Sequence, residues 1–119
     1  MSPLMPQSDL HHELDQLMEA AGDAVFRLDP AGRIVHASLR ALRRFGQGRP
    51  LDGIALSTLG VDADQPQIED AIAAAGAADQ ALISVRLQEP GGAPWFELRI
   101  SRFTGPGGGA ELLAVGRDI

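Results

Sequence analysis

Pro94-Trp95-Phe96-Glu97-Leu98-Arg99-Ile100-Ser101 and, past a glycine-rich stretch, Glu111-Leu112-Leu113-Ala114-Val115-Gly116-Arg117-Asp118-Ile119 decide the fold of this chain. In the first run Phe96, Leu98 and Ile100 alternate with Glu97, Arg99 and Ser101, the period-two pattern of a half-buried strand. The second run reads as a strand that ends with the chain. A domain ending flush with a strand is expected to be part of something longer, so its function is expected to lie in what it passes to a neighbour.

Working back from that pair, Ala81 to Gln88 alternates too, with Ile83, Val85 and Leu87 on one side. Glu89-Pro90-Gly91-Gly92 makes the turn into the next strand. Gly105-Pro106-Gly107-Gly108-Gly109 is a hairpin tip: it lacks a Lys-Ser/Thr ending and precedes a strand, so no helix N-terminus aims at a phosphate. Nearer the start, Ala24 to Leu28 and Arg33 to Ala37 flank Asp29-Pro30-Ala31-Gly32. Pro presets φ and Gly accepts a positive φ, so this is a tight turn in a hairpin.

Helical patterns fill the rest. Leu10, Leu14, Leu17 and Met18 make one apolar stripe that ends at Gly22. Ser38 is placed to cap a helix through Leu39, Leu42 and Phe45, ended by Gly46. Gly48 to Thr58 reads as short helical turns. Gln67 to Ala78 is a clear helix, with Pro66 in its first turn, Asp64 as its cap and Ile68 and Ile72 on one face. Strands joined by tight turns imply an antiparallel sheet with helices on one face, an α+β architecture. The expected division is a tail and amphipathic helix over 1–21 and one domain over 22–119.

Composition bounds the function. With 119 residues the chain builds one core, and 45% hydrophobic with 22% charged residues is ordinary for a globular domain. No apolar run is long enough to span a bilayer and no secretory leader is evident, so membrane insertion is not expected. The absence of cysteine removes disulfides, thiolate nucleophiles and zinc-thiolate sites, and fits a cytoplasmic protein. The net charge is −6, and every basic residue is arginine. The one local cluster, Arg40, Arg43, Arg44 and Arg49, reads as a solvated helix face; no nucleic-acid partner is expected of an acidic chain without an aromatic platform. His11 and His12 diverge on their helix, and His36 ends a strand as a surface residue, so no metal is expected. No nucleophile stands beside a base, so no enzymatic activity is expected.

The order of these pieces resembles the PAS sensory domain over Gly22 to Ile119. Three segments carry the resemblance: the hairpin from Asp23-Ala24-Val25 through Asp29-Pro30-Ala31-Gly32-Arg33-Ile34-Val35, the Gly48 to Leu59 segment, and Trp95 to Ser101 followed by Val115-Gly116-Arg117-Asp118-Ile119. The resemblance implies a PAS fold, a five-stranded antiparallel sheet curved over short helices on one face, with the N-terminal amphipathic helix beside it. It implies a sensory or regulatory module, an input domain of a bacterial two-component histidine kinase. Asp118 and Ile119 would be the signal exit towards a downstream effector domain. The second reading is a ligand-free dimerisation or protein-docking module of a cyclase or transcription regulator. Leu10, Leu14 and Leu17 would form a homodimer helix.

The candidate pocket comprises Phe26, Leu42, Phe45, Ile68, Ile72, Phe96, Leu98, Ile100, Ala114 and Gly116. Leu28, Ile54 and Val85 are expected on the same inner side. Ala71, Ala74, Ala75 and Gly76 on the long helix face small Ala114 and Gly116. Small against small either draws helix and sheet together or leaves a cavity for a small apolar ligand. No coloured cofactor is expected: flavin photosensors of this family need a cysteine, their flavin-contacting Gln falls at Gly116, and the long helix has no histidine for haem. Trp95 is expected to anchor its strand by burial.

Overall fold

The computed structural model describes residues 23–46, 49–105 and 107–119. Five strands, β1 (Ala24–Leu28), β2 (Ile34–Ala37), β3 (Gln80–Arg86), β4 (Trp95–Thr104) and β5 (Ala110–Asp118), form one sheet in the order β2-β1-β5-β4-β3. Every neighbouring pair is antiparallel. Between β2 and β3 come helix α1 (Leu39–Ala41), a π-helical turn Leu42–Gly46, 3-10 turns at Leu56–Leu59 and Asp62–Asp64, and helix α2 (Gln65–Ala78). The expected N-terminal helix, with Leu10, Leu14 and Leu17, lies outside the described residues.

The first hairpin closes through its aspartate. Asp29 Oδ1 accepts from the backbone N–H of Ala31 at 3.0 Å and of Arg33 at 2.9 Å. Gly32 supplies φ +88°, and a Cβ there would stand 2.8 Å from Ile72 Cδ1. The glycine therefore meets two demands, a left-handed backbone and close approach of α2. Between Arg27 and Leu28 the register slips, so Val35 bulges outward.

Ser38 caps α1, its Oγ accepting from Ala41 N–H at 3.3 Å, and also accepts from Val25 N–H at 3.1 Å. One buried hydroxyl thus satisfies an orphan helix donor and ties the helix to β1. Helix α2 buries Ile68, Ala71, Ile72 and Ala75, a single stripe one residue in three or four. These side chains, with Leu51, Leu56 and Leu59, face Phe26, Leu28, Val85, Phe96, Leu98, Ile100, Leu112 and Ala114 of the sheet.

Four expectations are corrected. Ile54 is 36% exposed, because its segment runs beside β2 by backbone bonds: Ile34 N–H donates to Ile54 C=O at 2.8 Å, and Gly53 N–H to Ile34 C=O at 2.7 Å. Ala74 and Gly76 lie on the solvent side of α2, so only Ala71 and Ala75 let it approach the sheet. Asp64 stands at the N-terminus of α2 without a capping bond, and the helix begins at Gln65, two residues earlier than expected. Trp95 is 50% exposed: Phe96 beside it points inward, so strand alternation turns Trp95 out, where the Arg86 guanidinium lies 5.3 Å from its ring centroid.

Replacing Gly32 with Ala should destabilise the fold by about 1–3 kcal/mol, the usual range for a residue held in a sparse backbone region. Urea denaturation measures it, and an unchanged midpoint would show that the turn and α2 relax freely.

Candidate functional site

The inner face of the sheet converges on three aromatic rings. Phe26 of β1 and Phe96 of β4 are fully buried, and Phe45 of the π-helical turn sits between them. Phe45 lies 6.0 Å from Phe26 and 5.5 Å from Phe96, the latter nearly edge to face. Such pairs add about 0.5–1.5 kcal/mol beyond their area burial. Ile68 and Ile72 descend from α2, and Leu98, Ile100 and Ala114 rise from the sheet. All the candidate pocket residues are gathered here, with Leu42 half-buried at the rim and Gly116 beneath.

Gly116 gives that floor its shape. It faces Ala24 of β1 and Leu98 of β4 in the sheet register. A Cβ built on it would have ordinary contacts, 3.8 Å to Leu98 Cδ1 and 3.9 Å to Phe96 Cδ1. Room for a methyl group therefore remains under the aromatic rings. Leu42 also lines a surface cleft of about 350 Å³ with Arg43, Arg49 and Pro50, which places the rim of the core next to solvent.

Polar groups stay at the edges. Among the described residues no buried side-chain nitrogen or oxygen lacks a hydrogen-bond partner. Of the buried ones, Ser38 serves backbone donors and Ser57 Oγ donates to Glu69 at 3.1 Å. His36 is half-buried at the edge strand β2. Among the described residues no group of three or more His, Cys, Asp or Glu could hold a metal ion, and no helix is long and apolar enough to cross a membrane.

Ion pairs fasten the periphery, and two clusters of them, Asp64 with Arg86 and Arg44 with Glu89 and Asp118, were not expected. Asp64 accepts the Arg86 backbone N–H at 2.8 Å and both sides of its guanidinium, at 3.2 and 3.3 Å. The Arg86 side chain first, and its N–H next, hold the Asp64 carboxyl below the usual carboxylate range. Arg44 belongs to the other cluster, which corrects its reading as part of a solvated helix face. Its Nε donates to Glu89 Oε2 at 2.6 Å and its Nη2 to Asp118 Oδ2 at 2.6 Å. The guanidinium carbon lies 4.6 Å from the Phe96 ring centroid. Asp118, read as a signal exit, is thus held from the core side, and Ile119 N–H donates to Trp95 C=O at 3.3 Å. Arg43 and Arg49 remain exposed.

Comparison with known proteins agrees with this geometry. The family model described as the PAS fold matches residues 12–119, and the chain belongs to that family. It is a PAS sensory or regulatory domain. Among solved structures it is similar to the PAS domain of a protein from Colwellia psychrerythraea, with TM-score 0.74 and 19% identity over 92% of this chain and 97% of that one. It is also similar to the PAS domain of an HTR-like protein from Haloarcula marismortui, with TM-score 0.67 and 19% identity over 94% and 99%. A third is the Cronobacter turicensis RpfR quorum-sensing receptor PAS domain in complex with BDSF, with TM-score 0.65 and 17% identity over 82% and 93%. No curated protein matches the chain.

Two substitutions probe the site. Gly116→Ala should fold with stability within about 0.5 kcal/mol of the parent, since the methyl meets no close neighbour; a loss several times larger in thermal denaturation would mean the floor is tightly packed. Asp64→Asn should be less stable than the parent at neutral pH. A carboxyl with a lowered folded pKa contributes its stability above the unfolded value, about 3.9, and loses it as pH falls through the folded value. The gap between parent and variant should therefore close in acid. Urea titrations from neutral pH down to about pH 2 follow it.

Proposed function

We propose that this chain is the input domain of a bacterial two-component histidine kinase, working in the cytoplasm and passing its signal through β5 to an effector domain after Ile119. The observation that carries this reading is the position of β5. It lies between β1 and β4, bears Ala114 and Gly116 beneath the aromatic rings, and ends at exposed Asp118 and Ile119. A change of packing at the core therefore has a direct covalent route along β5 to Ile119. The signal would be a small apolar ligand entering among Phe26, Phe45, Phe96, Ile68 and Ile72, shifting a two-state equilibrium. That a structural relative is a receptor PAS domain in complex with BDSF supports reading this fold as one that holds a bound ligand. The kinase assignment rests on how commonly the family serves kinases.

Joining the chain at Ile119 to a histidine-kinase core stripped of its own input domain tests the assignment. Autophosphorylation should differ between this chimera and its Asp118→Asn variant. Equal rates for both, and for a kinase core without residues 22–119, would exclude an input role.

A second reading is a ligand-free dimerisation or docking module. The filled aromatic centre, with ring centroids at 5.5 and 6.0 Å, favours it. In this reading the Leu10, Leu14, Leu17 stripe pairs two copies. Light scattering of a Leu14→Glu, Leu17→Glu variant should then give half the parent's mass, and an unchanged mass would end the dimer reading. Native mass spectrometry of the freshly purified protein separates the two readings, since only the first expects a retained ligand.

A further inference from the structure

We propose that Arg44 is the coupling residue of this domain, the single side chain through which the packing of Phe45 and Phe96 sets the position of Asp118. The inference rests on the reading of Asp118 and Ile119 as the signal exit, and it names the device that reaches them.

Arg44 joins three parts of the fold that are distant in sequence. It stands in the π-helical turn Leu42–Gly46, directly before Phe45. Its guanidinium carbon lies over the Phe96 ring, and Phe45 meets that same ring nearly edge to face. Its Nε reaches Glu89, whose N–H and C=O close the β3–β4 turn with Gly92 at 3.0 and 3.1 Å. Its Nη2 reaches Asp118, which faces Phe96 directly in the β4–β5 register. Three anchors therefore converge on one planar group: a ring, a turn and a strand end.

The chemistry suits a relay. A guanidinium offers donors in a fixed fork, so it cannot turn toward one carboxylate without turning away from the other. Both bonds are short, so an outward shift of Phe45 and its turn would stretch them together. Glu89 is held by its turn, whereas Asp118 lies at the end of β5 with its side chain 53% exposed. Strain on the fork is therefore relieved at Asp118. Hydrogen bonding to Glu89 foremost, and to Asp118, keeps the guanidinium charged throughout.

A thermodynamic cycle on the full 119-residue chain tests this. Phe45→Leu perturbs the core, Asp118→Asn perturbs the exit, and the double variant reports how far the two effects depart from additivity. With Arg44 present, the departure should be about fivefold or more in the unfolding equilibrium constant, the lower end of usual coupling between sites. With Arg44→Gln it should fall below about twofold. Arg44→Lys should not restore it, because an ammonium keeps the charge and loses the fork. Where Phe45→Leu leaves too little folded protein, Phe45→Met keeps more of the volume and takes its place. Additive effects with Arg44 present would overturn the proposal, as would equal coupling with Arg44→Gln. Coupling through Arg44 in a domain whose kinase chimera ignores Asp118→Asn would preserve the relay and remove the exit it was thought to serve.

Discussion

Strand β5 is hydrogen-bonded on both sides, to β1 and to β4, and the rest of the fold hangs on that double pairing. Ala24 faces Gly116 and Phe26 faces Ala114 across one seam, while Phe96 faces Asp118 and Ile100 faces Ala114 across the other. Without β5 the sheet is two separate hairpins, and two-stranded hairpins are marginal in water. With it, Phe26 and Phe96 come to opposite sides of one strand whose inner face is small at Ala114 and Gly116. Only then does Phe45 have two rings to pack between. The helical layer is positioned by what that strand brings together.

Around this frame, single polar side chains each do the joining of two elements. Ser38 ties α1 to β1, Asp29 closes the first turn, and Asp64 ties the start of α2 to β3. A second arginine pair, Arg27 with Glu111, links β1 to β5 at 3.0 Å. Because every cation is an arginine, each pair can be two-pronged, with an orientation as well as a distance. Surface pairs of this kind contribute little stability individually. Their larger effect is to fix which element lies beside which.

The sheet was readable because its signals are local. The alternation of Phe96, Leu98 and Ile100, the Asp29-Pro30-Ala31-Gly32 turn and the Ser38 cap each depend on residues within a few positions. The candidate pocket followed from strand parity, and the same parity carried the answer for Trp95, which must oppose its neighbour Phe96. What could not be read lies at long range. Arg44 finds Glu89 45 residues away and Asp118 74 residues away, and nothing local marks either partner. Asp64 carried a misleading local signal, since a carboxylate before a helix is an ordinary cap. Arg86, 22 residues on, competes for the same oxygens and wins with three bonds. Ile54 was misplaced for a related reason, because its backbone pairs with β2 across a loop that hydropathy does not register.

The central place of β5 has a consequence for synthesis. The strand that completes the sheet leaves the ribosome after the other four, long after the β1–β2 hairpin has emerged. Until then β1 presents an open edge of N–H and C=O groups, and Phe26 and Leu28 have no floor beside them. Nascent chains in that condition are targets for chaperones and for pairing with other chains. The placement that gives Asp118 and Ile119 direct access to the core also leaves every nascent copy with an incomplete sheet until β5 emerges.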